Sequence, residues 1–478
     1  MRRLVLCLLF VDLGRSWNPF AQQRGSPPSI PRFEGPPLQM ASPSWPELSS
    51  QVLLTPTGSS LAEEFAQRKE GLGSAHTDND LRLFDSRPGE EPRVVFYKDR
   101  ASWCPYCQKV WILLEEKQIP YRVEKINMRS YGDKPADFLK LCPNGLLPAM
   151  RLDGGAVQTD SLPIMMTLER TFSGPRHKAM WPSDSASAAR ADKLMRLERT
   201  LFSDWCNLVF RGGPGTSAVG RFEITMMAVD RELAQTPGPW FLDNLSIVDL
   251  TYVTHIERMC ASCLYWSGLD IRASDKWPHI NRWLEAFEAR PTYMATKSDY
   301  YTHVMDIPPQ YGPGYSLPGS EAAAREIMGE DGSWELPLPP LSAASLEPVK
   351  HHSGGEDAAR HEAAFKLTIN HDPIARFACR GPGQPGKRQF QAPLADPYAT
   401  PALEYVPDVD CWLRAVTQAL VTGSLEGETP APADNEGRRQ DLQAALAYLR
   451  DRVGVPRDMS YPAARQLRAH LNWAIAKC

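Results

Sequence analysis

A chain of 478 residues has room for two to four domains, and its 42% hydrophobic content is enough for ordinary buried cores. A formal charge of -4, with no clustered basic run, removes the electrostatic basis for nucleic-acid binding. Ten cysteines at irregular spacing exclude a disulfide scaffold, and a CxxC beside a strand-helix pattern points to a reducing compartment.

Arg2 and Arg3 precede the apolar run Leu4 to Val11, which Asp12 ends too early to span a bilayer. The run has the head of a secretory signal but no small-residue cleavage site after it. The first 46 residues hold five arginines, no lysine, and only Asp12 and Glu34 as acids, a composition that fits an organelle transit segment. A tail without an address, leaving the protein in the cytoplasm, is the alternative. Breakers such as Pro27-Pro28 and Pro36-Pro37 leave little surface to bury, so residues 1–91 are expected to be a targeting or disordered segment.

Order is expected from residue 92. Arg93 to Lys98 reads as a strand, Cys107 to Lys117 as a helix, Tyr121 to Ile126 as a strand and Lys134 to Leu141 as a short helix. Two more strands turn at Asp153-Gly154-Gly155, and Asp160 opens a helix that reaches Phe172. This βαβαββα order over residues 92–175 is that of a thioredoxin-like α/β domain. Residues 183–305 then read as helices throughout, and Ser246 with Asp249 forms a near capping box at the head of one of them. Residues 306–357, rich in Pro and Gly, read as a linker that few contacts cross, and 358–478 as a small helical appendage.

The chemistry lies in Cys104-Pro105-Tyr106-Cys107. The spacing places Cys104 at a helix N-terminus, with Pro105 at the first helical position where its missing N–H costs nothing. Unpaired N–H groups and the positive end of the helix dipole favour a thiolate there. Cys107, one turn on, can resolve a mixed disulfide on Cys104 or serve as a buried helix residue. A zinc site with Cys260 and Cys263 is disfavoured, because paired zinc ligands usually lie about 15–20 residues apart and Cys107 and Cys260 are 153 apart. No metal is expected. Pro148, just before a strand, is a candidate cis residue that would expose the Leu147 backbone. Thr159-Asp160-Ser161 either grips the charged end of a peptide ligand or simply caps a helix.

The strings WCPYCQKVWILLEEKQIPY, NGLLPAM and TDSLPIMMTLE together resemble the glutathione S-transferase superfamily, in particular its cysteine-type members, the omega, dehydroascorbate-reductase and iota-like classes. WFLDNLSIVDLTYVTHIERM resembles the family's capping-box helix and WPHINRWLEAFEARP its last core helix, so the resemblance runs from about Pro92 to Pro309. YYTHVMDIPPQYGP and PGQPGKRQFQAPLADPYATP resemble extensions on iota-like proteins of photosynthetic organisms, which implies a plastid address. The resemblance implies a thioredoxin-like half followed by an all-helical second domain, with glutathione as co-substrate. It implies that Cys104 forms a mixed disulfide with glutathione and that Leu147 pairs its backbone with the tripeptide. It also makes Pro148 cis, assigns the γ-glutamyl end to Asp160 and Ser161, and offers Lys134 as a further ligand. Ser102-Trp103 before the first cysteine sets the chain apart from dehydroascorbate reductases, which carry an acid there. With no Tyr or Ser in the nucleophile position, thiol-disulfide chemistry is favoured over conjugation.

The leading expectation is therefore a glutathione-dependent thioltransferase or reductase acting on a small oxidised or glutathionylated substrate. The alternative is a non-enzymatic protein that holds glutathione, haem or a porphyrin while its tail recruits a partner. A homodimer fits either reading. A relative of chloride-channel-like proteins is disfavoured by the lack of a long apolar segment.

Overall fold

The structure is a computed structural model that describes residues 43–85, 91–128, 130–212, 217–350, 354–387, 394–433 and 435–478. It opens with two helices, Trp45–Leu53 (α1) and Pro56–Lys69 (α2). Pro46 and Pro56 stand in first turns, where a proline's missing N–H costs nothing. Ser44 and Thr55 cap the two starts, Ser44 donating its N–H to Glu47 (2.7 Å) and Thr55 accepting from Gly58 (3.0 Å). Leu48 and Val52 are fully buried, Val52 in the core of the C-terminal helices. The expected disordered stretch 1–91 is thus corrected over 43–85, because prolines counted as breakers begin helices and a few apolar residues find a distant core. The rest of that expectation, including the transit segment in 1–42, lies outside the described residues.

Leu81–Arg82 (β1) then joins the edge of a five-stranded sheet of order β1-β3-β2-β4-β5. Val94–Asp99 (β2) lies at its centre, apolar over Val94 to Tyr97 and buried at five of its six positions, as befits a strand covered on both faces. It pairs in parallel with Tyr121–Ile126 (β3) across the helix Pro105–Glu116 (α3), and antiparallel with Ala149–Leu152 (β4). Ala136–Leu141 (α4) precedes β4, and Val157–Thr159 (β5) and Ser161–Thr171 (α5) complete the thioredoxin-like half. The βαβαββα order is observed, with β1 added at the edge through its antiparallel pairing with β3.

The second half is helical: Ser185–Cys206 (α6), Ala218–Leu233 (α7), Ile247–Ser267 (α8), Pro278–Glu288 (α9), the short Pro291–Met294 (α10) and Tyr300–Tyr311 (α11). A single π-type turn over Asn207–Arg211 extends α6. The helix α8 begins at the capping box, where the Ser246 N–H donates to Asp249 (2.9 Å), and the same carboxylate takes the Trp283 indole N–H (3.0 Å). One hydrophobic core runs continuously through both halves.

Residues 306–357 are not the loosely packed linker expected. The helix α11 runs on through Pro308 and Pro309, Glu321–Ile327 (α12) follows, and Ile327, Trp334 and Glu347 are buried. Proline-rich backbone needs few internal hydrogen bonds, so isolated large side chains suffice to pin it. The Tyr315 N–H bonds Val209 (2.8 Å) and that of Leu317 bonds Trp266 (2.7 Å).

The appendage consists of Gly355–Ala378 (α13, broken at Asn370 ahead of Pro373), Val406–Thr422 (α14), Glu436–Arg450 (α15) and Tyr461–Lys477 (α16) around Trp412, Leu446 and Leu471. It is not independent of the central unit. Tyr301 donates its hydroxyl to the Asp451 carbonyl (3.0 Å), the Val455 N–H donates to Thr302 (3.1 Å) and Asn472 donates to the Trp334 carbonyl (3.0 Å). Arg468 and Asp299 form an ion pair whose side chains are 1% and 0% exposed.

Candidate active site

Sheet register explains why residues far apart in sequence meet. Tyr97 lies opposite Ala149 and Ala149 opposite Thr159, so the end of β2, the start of β4 and the end of β5 share one edge of the sheet. The Cys104 loop leaves β2 there, Leu147-Pro148 enters β4 there, and Asp160-Ser161 follows β5 there. Parallel pairing puts the end of β3 at the same edge, where Lys134 donates to the Asn127 carbonyl (2.7 Å). The structure therefore brings together Cys104, Cys107, Lys134, Leu147, Pro148, Asp160 and Ser161.

Cys104 is the N-cap of α3 and Pro105 its first residue. The Cys107 thiol and the N–H groups of Cys107 and Tyr106 donate to the Cys104 sulfur and hold its pKa below the usual thiol value, against burial and the Asp99 charge. Burial and the neighbouring Cys104 push Cys107 well up. The pair is polarised, with the more acidic thiol at the helix start and the less acidic one a turn on. Burial lowers the Lys134 pKa, while attraction from both sulfurs opposes it, which places its ammonium near the dithiol.

Leu147-Pro148 is cis, and the Leu147 backbone N–H and C=O have no hydrogen-bond partner among the described residues. Asp160 stands at the N-cap of α5 yet makes no side-chain cap bond, and it holds φ at 73° without being glycine. Such backbone costs about 1–3 kcal/mol and concentrates at functional sites. The Asp160 side chain therefore does not cap α5 in the ordinary way.

Asp99 was not anticipated. Its carboxylate accepts from the Trp103 (2.6 Å) and Cys104 (3.0 Å) N–H groups and fixes the loop that carries Cys104. A carboxylate closing the strand five residues before the cysteine was the available signal. Donor atoms of Asp99, Cys104 and Cys107 lie within 4.8 Å of one another, close enough for metal ligands. Both amides bond Oδ2 of Asp99, while its Oδ1 is buried with no hydrogen-bond partner among the described residues, and the two sulfurs bond each other. Cys260 and Cys263 sit apart from them, buried in α8.

A second layer holds the loop from behind. Arg258 donates to the Trp103 carbonyl and to Gln108 (2.9 Å), and Gln108 donates to Glu257 (2.9 Å). Trp103 donates to His303 (3.0 Å), whose other ring nitrogen meets Glu257 (2.9 Å). Residues of α8 and α11 thereby set the position of the thioredoxin-like half's reactive loop. Lys109, 4% exposed and lying over the Tyr106 ring at 5.1 Å, feels the charges of both Cys104 and Asp160.

These states predict an alkylation pattern. With iodoacetamide, Cys104 should reach its full rate at lower pH than a free thiol, since only the thiolate reacts and its pKa is lowered. Cys260, pushed up to about 12 by burial, and Cys263, pushed higher still, should remain unlabelled in the folded protein. Peptide mapping after labelling across pH reads this directly, and equal rates at the three positions would contradict it.

Comparison with known proteins agrees with this arrangement. Residues 103–171 match the family of glutathione S-transferase N-terminal domains and residues 190–286 that of the C-terminal domains. The chain is 27% identical to glutathione S-transferase L3 of Arabidopsis thaliana over 41% of its own length and 79% of the relative's. It is 26% identical to protein IN2-1 homolog A of Oryza sativa subsp. japonica, over 48% and 86%. It is 25% identical to the chloroplastic glutathione S-transferase DHAR3 of Arabidopsis thaliana, over 41% and 69%. The thioredoxin-like half and the helical half, in the order in which they follow, are thus a glutathione S-transferase N-terminal domain and C-terminal domain within this longer chain.

Proposed function

We propose that the protein is a glutathione-dependent thioltransferase that works through Cys104. The observation that carries this reading is the position of Cys104 at the N-cap of α3 with the Cys107 thiol donating to its sulfur, which lowers the Cys104 pKa and favours its thiolate. The Cys104 thiolate attacks the glutathionyl sulfur of a mixed disulfide. A Cys104-glutathione disulfide forms, and the substrate leaves as a thiolate that takes a proton from water. A glutathione thiolate then attacks that disulfide, releasing oxidised glutathione and restoring Cys104. Cys107 can make the second attack instead once it loses its proton, closing a Cys104-Cys107 disulfide and expelling glutathione as a thiolate; two glutathione molecules then reduce that disulfide and leave as oxidised glutathione.

In this reading the free Leu147 backbone beside cis Pro148 pairs with the tripeptide's own backbone. Asp160, Ser161 and the start of α5 take the γ-glutamyl end, and Lys134 takes a carboxylate. We also infer a plastid address from the arginine-rich, acid-poor first 46 residues, and assembly as a homodimer by likeness to the family. The test is reduction of a small glutathione mixed disulfide by the wild type beside Cys104→Ser.

A further inference from the structure

A cavity of about 290 Å³ lies where the central unit meets the appendage. One wall is the Arg100-Ala101 turn, which connects Asp99 to the Cys104 loop, another is Tyr131 with Asp306 on α11, and the third comes from α13, α15 and the turn after α15. The charges on its walls are unevenly satisfied. Asp451 is paired with Arg450 (2.7 Å), Asp396 accepts from the Gly386 N–H (3.1 Å), and Asp306 accepts from the Tyr131 hydroxyl and is pushed up to about 6 by burial. Arg457 is paired with Asp458 (2.7 Å).

Three guanidiniums remain. Arg100 and Arg380 have no carboxylate partner among the described residues, and Arg452 donates only to the Leu394 (3.2 Å) and Tyr448 (3.3 Å) carbonyls. Burial keeps Arg452 below its ordinary pKa against the attraction of Tyr448, Asp451 and Asp396, none of which it meets in an ion pair among the described residues. Aromatic faces hold two of them in place, Arg452 over Tyr448 at 3.4 Å and Arg380 over Phe377 at 5.2 Å. Planar guanidinium forks match carboxylate and phosphate oxygens, and the same rings offer apolar surface.

We propose that this cavity is a second ligand site, whose lining does not include Cys104, for a small molecule that joins a carboxylate or phosphate group to an apolar or aromatic body. The site exists only because the appendage is docked, since Arg380 and Arg452 both belong to it. The proposal does not rest on the thioltransferase reading.

The test is calorimetric titration of the full chain with phenyl phosphate, benzoate, inorganic phosphate and phenol. Phenyl phosphate or benzoate should saturate a single site, and the tighter of the two names the preferred head group. Either should bind at least about tenfold more tightly than inorganic phosphate, and phenol should not bind, as expected of a charged group worth one good charge-assisted contact. Arg380→Gln should weaken binding about tenfold, and Arg100→Gln, on an exposed residue whose loss will not unfold the protein, should weaken it in the same direction. Cys104→Ser should bind as the wild type does. Absence of saturable binding by both organic anions would overturn the proposal. So would binding unchanged in Arg100→Gln and Arg380→Gln, or lost in Cys104→Ser.

Discussion

Cys104→Ser should reduce thioltransferase turnover to background, a fall on the order of 10³-fold or more, the scale at which removal of a covalent nucleophile registers. The loss follows from geometry as much as from chemistry. A serine hydroxyl in the same N-cap position receives the same donors from Cys107 and Tyr106, but its far higher pKa leaves no anion to attack at neutral pH. Cys107→Ser should keep a large part of glutathione-dependent turnover. Its hydroxyl can still donate to the Cys104 sulfur, and glutathione from solvent can resolve the mixed disulfide. Replacement by alanine removes that donor, so Cys107→Ala should raise the Cys104 pKa and move the rate-pH profile toward alkaline pH. Turnover of a small glutathione mixed disulfide against pH, for the three variants and wild type, reads all of this. If Cys107→Ser is as inactive as Cys104→Ser, the protein is a dithiol oxidoreductase, and the glutathione roles given to Leu147, Pro148, Asp160 and Ser161 lose their support.

Arg468→Met should destabilise the whole described chain by roughly 3–5 kcal/mol, the cost of leaving one member of a buried ion pair without its partner. The stranded group would be Asp299, fully buried and also the cap of α11, where it accepts from the Thr302 N–H (3.0 Å). Arg468 in addition donates to the Val453 carbonyl (2.7 Å) and lies over the Tyr301 and Trp334 rings, so one side chain ties α16 to α11 and to the proline-rich segment. A loss of that size is a large fraction of an ordinary folding free energy of about 5–15 kcal/mol. Denaturant unfolding should show one lowered midpoint, and the pair Asp299→Asn with Arg468→Met should recover much of the loss by removing both charges. A change below about 1 kcal/mol in the single variant would mean that the appendage is only loosely held. By the same reasoning, a chain ended at Val349 should be insoluble, because it uncovers Asp299, Tyr301 and Trp334 together. This reverses the expectation drawn from the composition of residues 306–357.

Features whose cause is local could be read from the sequence. The Cys104 N-cap, Pro105 in the first turn and the Ser246-Asp249 box each depend on residues within four positions of one another. The glycine turn between β4 and β5 is of the same kind. Asp99, Gln108, Glu257, Arg258 and His303 could not be read, because Gln108 and Arg258 are 150 residues apart and nothing in either neighbourhood specifies the other. The helices α1 and α2 were missed for a related reason. Their prolines look like breakers in composition, and only the core of the C-terminal helices gives Val52 a place to go. The second cavity was equally out of reach, since its three guanidiniums come from Arg100, Arg380 and Arg452.

The most direct measurement is the intact mass of Cys107→Ser after exposure to oxidised glutathione, followed by peptide mapping. The thioltransferase reading predicts one added glutathione per chain, carried on Cys104 and removed by dithiothreitol, because the variant keeps the nucleophile and lacks the internal resolving thiol. An unmodified Cys104, or glutathione distributed over other cysteines while Cys104 stays free, would contradict it.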